Sequence, residues 1–162
     1  MTRAPSQIEF PGISGRENHQ KRSRANQTEK LIHLTVVAEE DIELMAEFGT
    51  VALQRGRLAR LLEEAYAQDA ILDTPRLCVL FPQTHRGIRA ILQSFWQKGV
   101  LLPVAGMKKE NRQLMRNLWA ALAIDRYLSG EDLTILRKNL AISTSRWQRW
   151  WQGFKELVQN QD

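Results

Sequence analysis

The sequence predicts a mainly α protein built from tandem helix-turn-helix units, the first of them winged-helix-like with a small β element. Three observations carry that prediction. Two stretches, beginning at Asp73 and at Glu131, each read as a short helix, a break and a longer helix. Leu58, Leu61, Leu62, Ala65 and Tyr66 form an apolar stripe at helical spacing ahead of the first stretch. Strand character is confined to Leu31–Val37 and Val100–Val104.

Residues 1–28 are polar, carry two prolines and two glycines, and show no sustained periodicity. They are expected to form a flexible basic arm. Lys21, Arg22 and Arg24 lie in it, where a solvated tail is the commoner reading and a groove-following arm the sharper one. A first domain is expected over 29–107 and a second, helical one over 108–162.

Leu31–Val37 is short, β-branched in its second half and bounded by polar residues, and Val100–Val104 is its expected partner. Glu39, Glu40, Asp41, Glu43 and Glu47 follow as an acidic cluster at a helix start, favourable to the macrodipole. No other polar group accompanies them, so a solvated helix face is expected rather than acid–base chemistry. The helical pattern continues to about Gln68, bent near Gly49 and Gly56.

In DTPRLCVLFPQTHRGIRAILQSFWQKG, Thr74 is the expected N-cap of a short helix with Pro75 at its first position. Pro82 stops that helix. Thr84 caps a second helix that Gly99 ends. Ile88, Ile91, Leu92 and Phe95 point inward by their spacing, which leaves Thr84, His85, Arg86 and Arg89 as a recognition face. The bland alternative is an amphipathic hairpin with solvated arginines. Charge decides against it: from Arg76 to Arg116 eight cations stand against Glu110 alone, in a chain of net charge +5. Such clustering marks a polyanion site. Lys108 and Lys109, after the Gly106 turn, suit a wing on the sugar–phosphate backbone.

The C-terminal third repeats the pattern. Leu114–Leu128 is helical, with Leu118, Leu122 and Tyr127 near one face and Ser129-Gly130 as its end. Glu131–Asn139 is a short helix, and Ser143 caps a last one. There Trp147, Trp150, Trp151 and Phe154 fall at i, i+3, i+4 and i+7, spacing that more often means core than base stacking. Arg146 and Arg149 lie between them as further candidate DNA contacts.

Several classes are excluded by what is missing. No phosphate-binding glycine loop, nucleophile elbow or zinc-protease motif occurs. His19, His33, His85 and the lone Cys78 do not fall at metal-ligand spacing, and Cys78 is expected in the interior, away from His85. No catalytic residue, metal or cofactor is expected. One cysteine fits a reducing compartment, no apolar run approaches a membrane span, and no secretory leader is evident. A cytoplasmic location is expected.

From about Leu31 to Val158 the chain resembles an uncharacterised prokaryotic family with two successive helix-turn-helix units. The likeness rests on LIHLTVVAEEDIELMAEFG, LARLLEEAYAQDAILD, GIRAIL with KGVLLPVAG, IDRYLSG and STSRWQRWW. It departs from the family pattern at Gly87, Pro82, Arg137, Arg146 and the loop MKKENRQLM. The resemblance implies a DNA-binding protein and offers no catalytic residue. The expected function is duplex DNA binding, regulatory in kind, with a homodimer allowed. The rivals are a protein-interaction module docking through the tryptophan helix, and a binder of single strands or RNA.

Overall fold

The computed structural model describes residues 6–14, 29–100, 102–104 and 118–160. Among these residues the chain is mostly helical with one small antiparallel sheet. Strands β1 (Ser6–Ser14), β2 (Glu29–Val37) and β3 (Ala70–Ile71) lie in the order β2-β1-β3. The helices are α1 (Glu39–Phe48), α2 (Thr50–Ala67), α3 (Thr74–Leu80), α4 (His85–Gln97), α5 (Leu118–Leu128), α6 (Leu133–Leu140) and α7 (Thr144–Gln159).

The expected arm is corrected over 6–14, which form β1. Phe10 pairs with Ile32 and Ile13 with Ile71, and Phe10 and Ile13 are buried. Burying two large apolar side chains offsets the cost of ordering the segment, which a wholly polar arm could not do. Arg76 Nε also donates to the Pro11 carbonyl at 2.9 Å. Lys21, Arg22 and Arg24 lie outside the described residues.

The expected pairing of Leu31–Val37 with Val100–Val104 is likewise corrected. β1 occupies one side of β2, and Val104 instead bridges Leu72 in parallel. The outer edge of β2 is covered by side chains of α2. Gln68 accepts from the His33 amide at 2.8 Å and donates to its carbonyl at 2.7 Å. Glu64 accepts from the Thr35 amide at 3.0 Å, and Arg60 donates to the Thr35 carbonyl at 2.6 Å. Side-chain amide, carboxylate and guanidinium thus replace a neighbouring strand at an edge that would otherwise invite another chain.

The α3–α4 pair forms close to expectation. The α3 cap is Asp73, one residue earlier than Thr74, because the Asp73 carboxylate accepts from the Arg76 amide at 3.0 Å and also holds the Arg76 guanidinium at 2.8 Å. A carboxylate serving two donors outcompetes a hydroxyl serving one. Helix α4 ends in a Schellman arrangement. Gly99 has φ +87°, its amide donates to the Trp96 carbonyl at 3.0 Å, and the Val100 amide donates to the Phe95 carbonyl at 2.9 Å.

One apolar core runs through residues of both predicted domains, from Phe10 and the α2 stripe through Ile88, Leu92 and Phe95 to Trp119, Leu136, Ile142 and Trp147. Trp119 joins the parts. Its ring meets Phe95 edge-on at 6.1 Å, and its Nε1 donates to the Leu140 carbonyl at 2.9 Å. Cys78 is half-buried at the margin of this core, not in its interior as expected.

Candidate nucleic-acid interface

Two helix starts carry the residues singled out by the sequence, and they differ in what surrounds them. At the start of α4, the Thr84 hydroxyl accepts from the Gly87 amide at 3.1 Å. Ile88, Leu92 and Phe95 are buried and fix which way the helix faces. Thr84, His85, Arg86 and Arg89 are consequently all exposed. Neither Arg86 nor Arg89 forms an ion pair or a side-chain hydrogen bond among the described residues. No acidic residue stands in the first turn of α4. Two guanidinium groups and the positive end of a helix dipole therefore face solvent together.

Gly87 lies in the first turn of α4. A Cβ there would come within 2.4 Å of the Gln83 side-chain oxygen, so the missing side chain lets Gln83 lie against the start of the helix. Arg76, counted in the basic segment, is not part of this face. Its guanidinium is held by Asp73 and by Glu29 at 3.2 Å, as well as by the Pro11 carbonyl. Lys108 and Lys109, assigned to a wing, lie outside the described residues.

At the start of α7 the local chemistry is similar: Ser143 accepts from the Arg146 amide at 3.1 Å. Here, however, the acidic helix α1 lies across the first turn. Arg146 Nη2 meets Glu40 at 2.6 Å, its Nη1 meets Glu63 at 3.3 Å, and its guanidinium sits 5.0 Å from the Trp119 ring centre. Arg149 reaches the other Glu40 oxygen at 2.8 Å, although its side chain is 60% exposed. Glu43 accepts from the Ser145 hydroxyl and amide, and Glu47 accepts from Thr144 and pairs with Arg137.

The expected solvated acidic face is therefore corrected. Glu40, Glu43 and Glu47 lie at i, i+3 and i+7, one face of α1, and that face is turned to α6 and α7. Asp41 is buried beneath it and pairs with Arg60 at 2.8 Å. Burial pushes the Glu40 carboxyl up, but Arg146 and Arg149 outweigh burial and hold it below the ordinary carboxylate range. Burial dominates at Glu63, with repulsion from Glu40 added, and raises it above that range despite Arg146.

The aromatic stripe of α7 packs inward. Trp147 is buried, and Trp150 and Trp151 are partly buried against the core. Tyr127 meets the Trp147 and Trp151 rings edge-on at 5.2 and 5.1 Å. Arg137 stacks 5.3 Å from Phe48 and is buried. The partners of Arg137, Ser145, Arg146 and Arg149 lie some hundred residues away in sequence. Only the charge of α1 hinted at them.

Among the described residues no group of histidine, cysteine, aspartate and glutamate side chains is placed to hold a metal ion. No described helix is long and apolar enough to cross a membrane. No curated protein and no solved structure matches the chain. The family model described as "protein of unknown function (DUF1670)" matches residues 2–160, and the chain belongs to that family.

Proposed function

We propose that the chain is a DNA-binding protein, regulatory in kind, that engages duplex DNA through the first turn of α4. The single observation that carries this reading is the exposure of Arg86 and Arg89, without carboxylate partners among the described residues, at a capped helix start. Arg60, Arg76, Arg137, Arg146 and Arg149 are all paired with carboxylates. Guanidinium groups in such a position match the acceptors of guanine in the major groove and the oxygens of phosphate. The Thr84 cap supports the reading because a fixed helix start aims both side chains.

In this reading α3 and α4 act as a helix-turn-helix pair, and Lys108 and Lys109 add backbone contacts. Arg146 contributes to folding and not to recognition, while the exposed Arg149 keeps some capacity for a phosphate. A homodimer on two half-sites and a cytoplasmic place belong to the same proposal. Tryptophans packed inward support neither a docking face nor a stacking platform on α7.

The test is selection from a randomised duplex pool, repeated over a salt series. A common selected sequence, bound less tightly as salt rises, is the expected result. Absence of duplex binding at low salt would sink the proposal.

A further inference from the structure

The exposed face of α4 continues past the two arginines to the end of the helix. Ile88, Leu92 and Phe95 are buried on one side, while Arg86, Arg89, Ala90, Gln93, Trp96 and Gln97 are exposed on the other. Gln93 lies four residues past Arg89 and seven past Arg86, so the three side chains share one row along that face. Gln93 makes no side-chain hydrogen bond among the described residues.

The chemistry of the row changes along its length. Its first two members are guanidinium groups, which suit phosphate as well as guanine. From Ala90 to Gln97 the exposed side chains carry no charge, and the helix has no acidic residue at all. A face built only to grip phosphate would gain from more cations there, because each contact adds affinity through counterion release. A neutral face behind a cationic start suits the floor of the major groove instead, where base edges offer donors and acceptors. The Gln93 carboxamide has both, and adenine N7 and N6 match that combination together. A helix without carboxylates can also lie along its whole length between two phosphate backbones without repulsion.

We infer that Gln93 is a specificity-determining residue of α4, reading an adenine in the major groove beyond the bases that Arg86 and Arg89 reach. The inference rests on the duplex-binding proposal and names the class of site recognised, a guanine with an A·T pair a few steps away. At 1.5 Å per residue, Gln93 stands about 6 Å from Arg89 and about 10 Å from Arg86 along the helix axis. Those distances are roughly two and three base-pair steps of about 3.4 Å. The arginines supply most of the affinity, and Gln93 supplies discrimination at one base pair.

The test begins from the duplex that wild type selects out of a randomised pool. Affinities of the full chain as wild type, Gln93→Ala and Gln93→Glu are compared for that duplex and for each of its single-base-pair replacements. Gln93 is exposed, so neither variant should shift the unfolding midpoint appreciably. Wild type should prefer adenine at one position, and Gln93→Ala should lose about fivefold or more of that preference while keeping the others and the salt slope. Gln93→Glu, which can only accept, should move the same position towards cytosine, whose amino group donates. Identical preferences in all three proteins would overturn the role of Gln93 and leave the α4 start standing. A change confined to positions that are not A·T pairs would overturn the adenine assignment. Duplex binding with no selected sequence would also overturn the inference, since the face would then grip phosphate alone. Wild type that binds no duplex at low salt would overturn it together with the proposal on which it rests.

Discussion

The starts of α4 and α7 follow nearly the same local design and meet opposite fates. Each has a hydroxyl cap, Thr84 or Ser143, accepting at 3.1 Å from the amide three residues on. Each carries two arginines three residues apart, Arg86 with Arg89 and Arg146 with Arg149. At α4 they face solvent. At α7 the carboxylates of α1 have taken the place an external anion would occupy. The difference lies in neither helix but in α1, which supplies Glu40, Glu43 and Glu47 from about a hundred residues upstream. A recognition-like helix start is thus only a potential anion site, and tertiary contacts decide whether it stays open.

The hardest break in the comparison comes from removing what fixes α7 in place. Trp147 is 6% exposed and packs against Tyr127 and Trp151. Trp147→Ala should cost ~3–5 kcal/mol of unfolding free energy in denaturant titration. A loss below about 1 kcal/mol would mean that the ring is not part of the core.

Arg146→Ala should come next, with a cost of about 3 kcal/mol. It takes from Glu40 the nearest of its cationic partners, leaving Arg149 at 2.8 Å and Arg60 at 3.5 Å, and weakens the neutralisation of Glu63, both carboxylates in a poorly solvated place. At α4 the double variant Arg86→Ala/Arg89→Ala should change stability by no more than ~0.5 kcal/mol, the usual range for exposed sites. Its duplex affinity should fall by at least tenfold if each arginine contributes about 1 kcal/mol or more. Equal destabilisation by the Arg146 and Arg86/Arg89 variants, in the same denaturant series, would erase the contrast.

Much of this architecture is legible in the sequence, and what is missed shares one physical character. Both hydroxyl caps, the Gly49 and Gly99 boundaries and the inward face of α4 follow from short-range rules, because the groups involved sit within four residues of one another. β1 escapes those rules. Pro11 and the neighbouring glycines read as arm, although the alternation Gln7, Ile8, Glu9, Phe10 carried a strand signal. The acidic face of α1 is missed for a different reason. A helix with carboxylates on one side looks the same whether water or arginine faces it, and its partners on α6 and α7 are too distant to leave a local pattern. At α4 the exposure of Arg86 and Arg89 follows from the buried spacing of Ile88, Leu92 and Phe95 alone, so this half of the candidate site could be read in advance.

The smallest predicted effect probes the same contrast through protons. Glu40 titrates below the ordinary range, so its contribution to stability is present at neutral pH and is lost as pH falls through that lowered value. Glu63 titrates above the range, so its ionised form at neutral pH costs stability, which returns as pH falls through the raised value. Acidification from neutrality should therefore first favour the fold through Glu63 and then oppose it through Glu40. Glu63→Gln mimics the protonated side chain and should raise Tm modestly at neutral pH, with the gain over wild type shrinking to nothing as wild-type Glu63 takes up its proton. The Arg86/Arg89 double variant, at a site with no carboxylate partner among the described residues, should differ from wild type by the same small amount throughout. Thermal melts of the three proteins between about pH 4 and pH 8 make the comparison. A Glu63→Gln difference that is flat with pH, or negative at neutrality, would mean that Arg146 neutralises Glu63 fully and that α1 covers the start of α7 without a residual electrostatic cost.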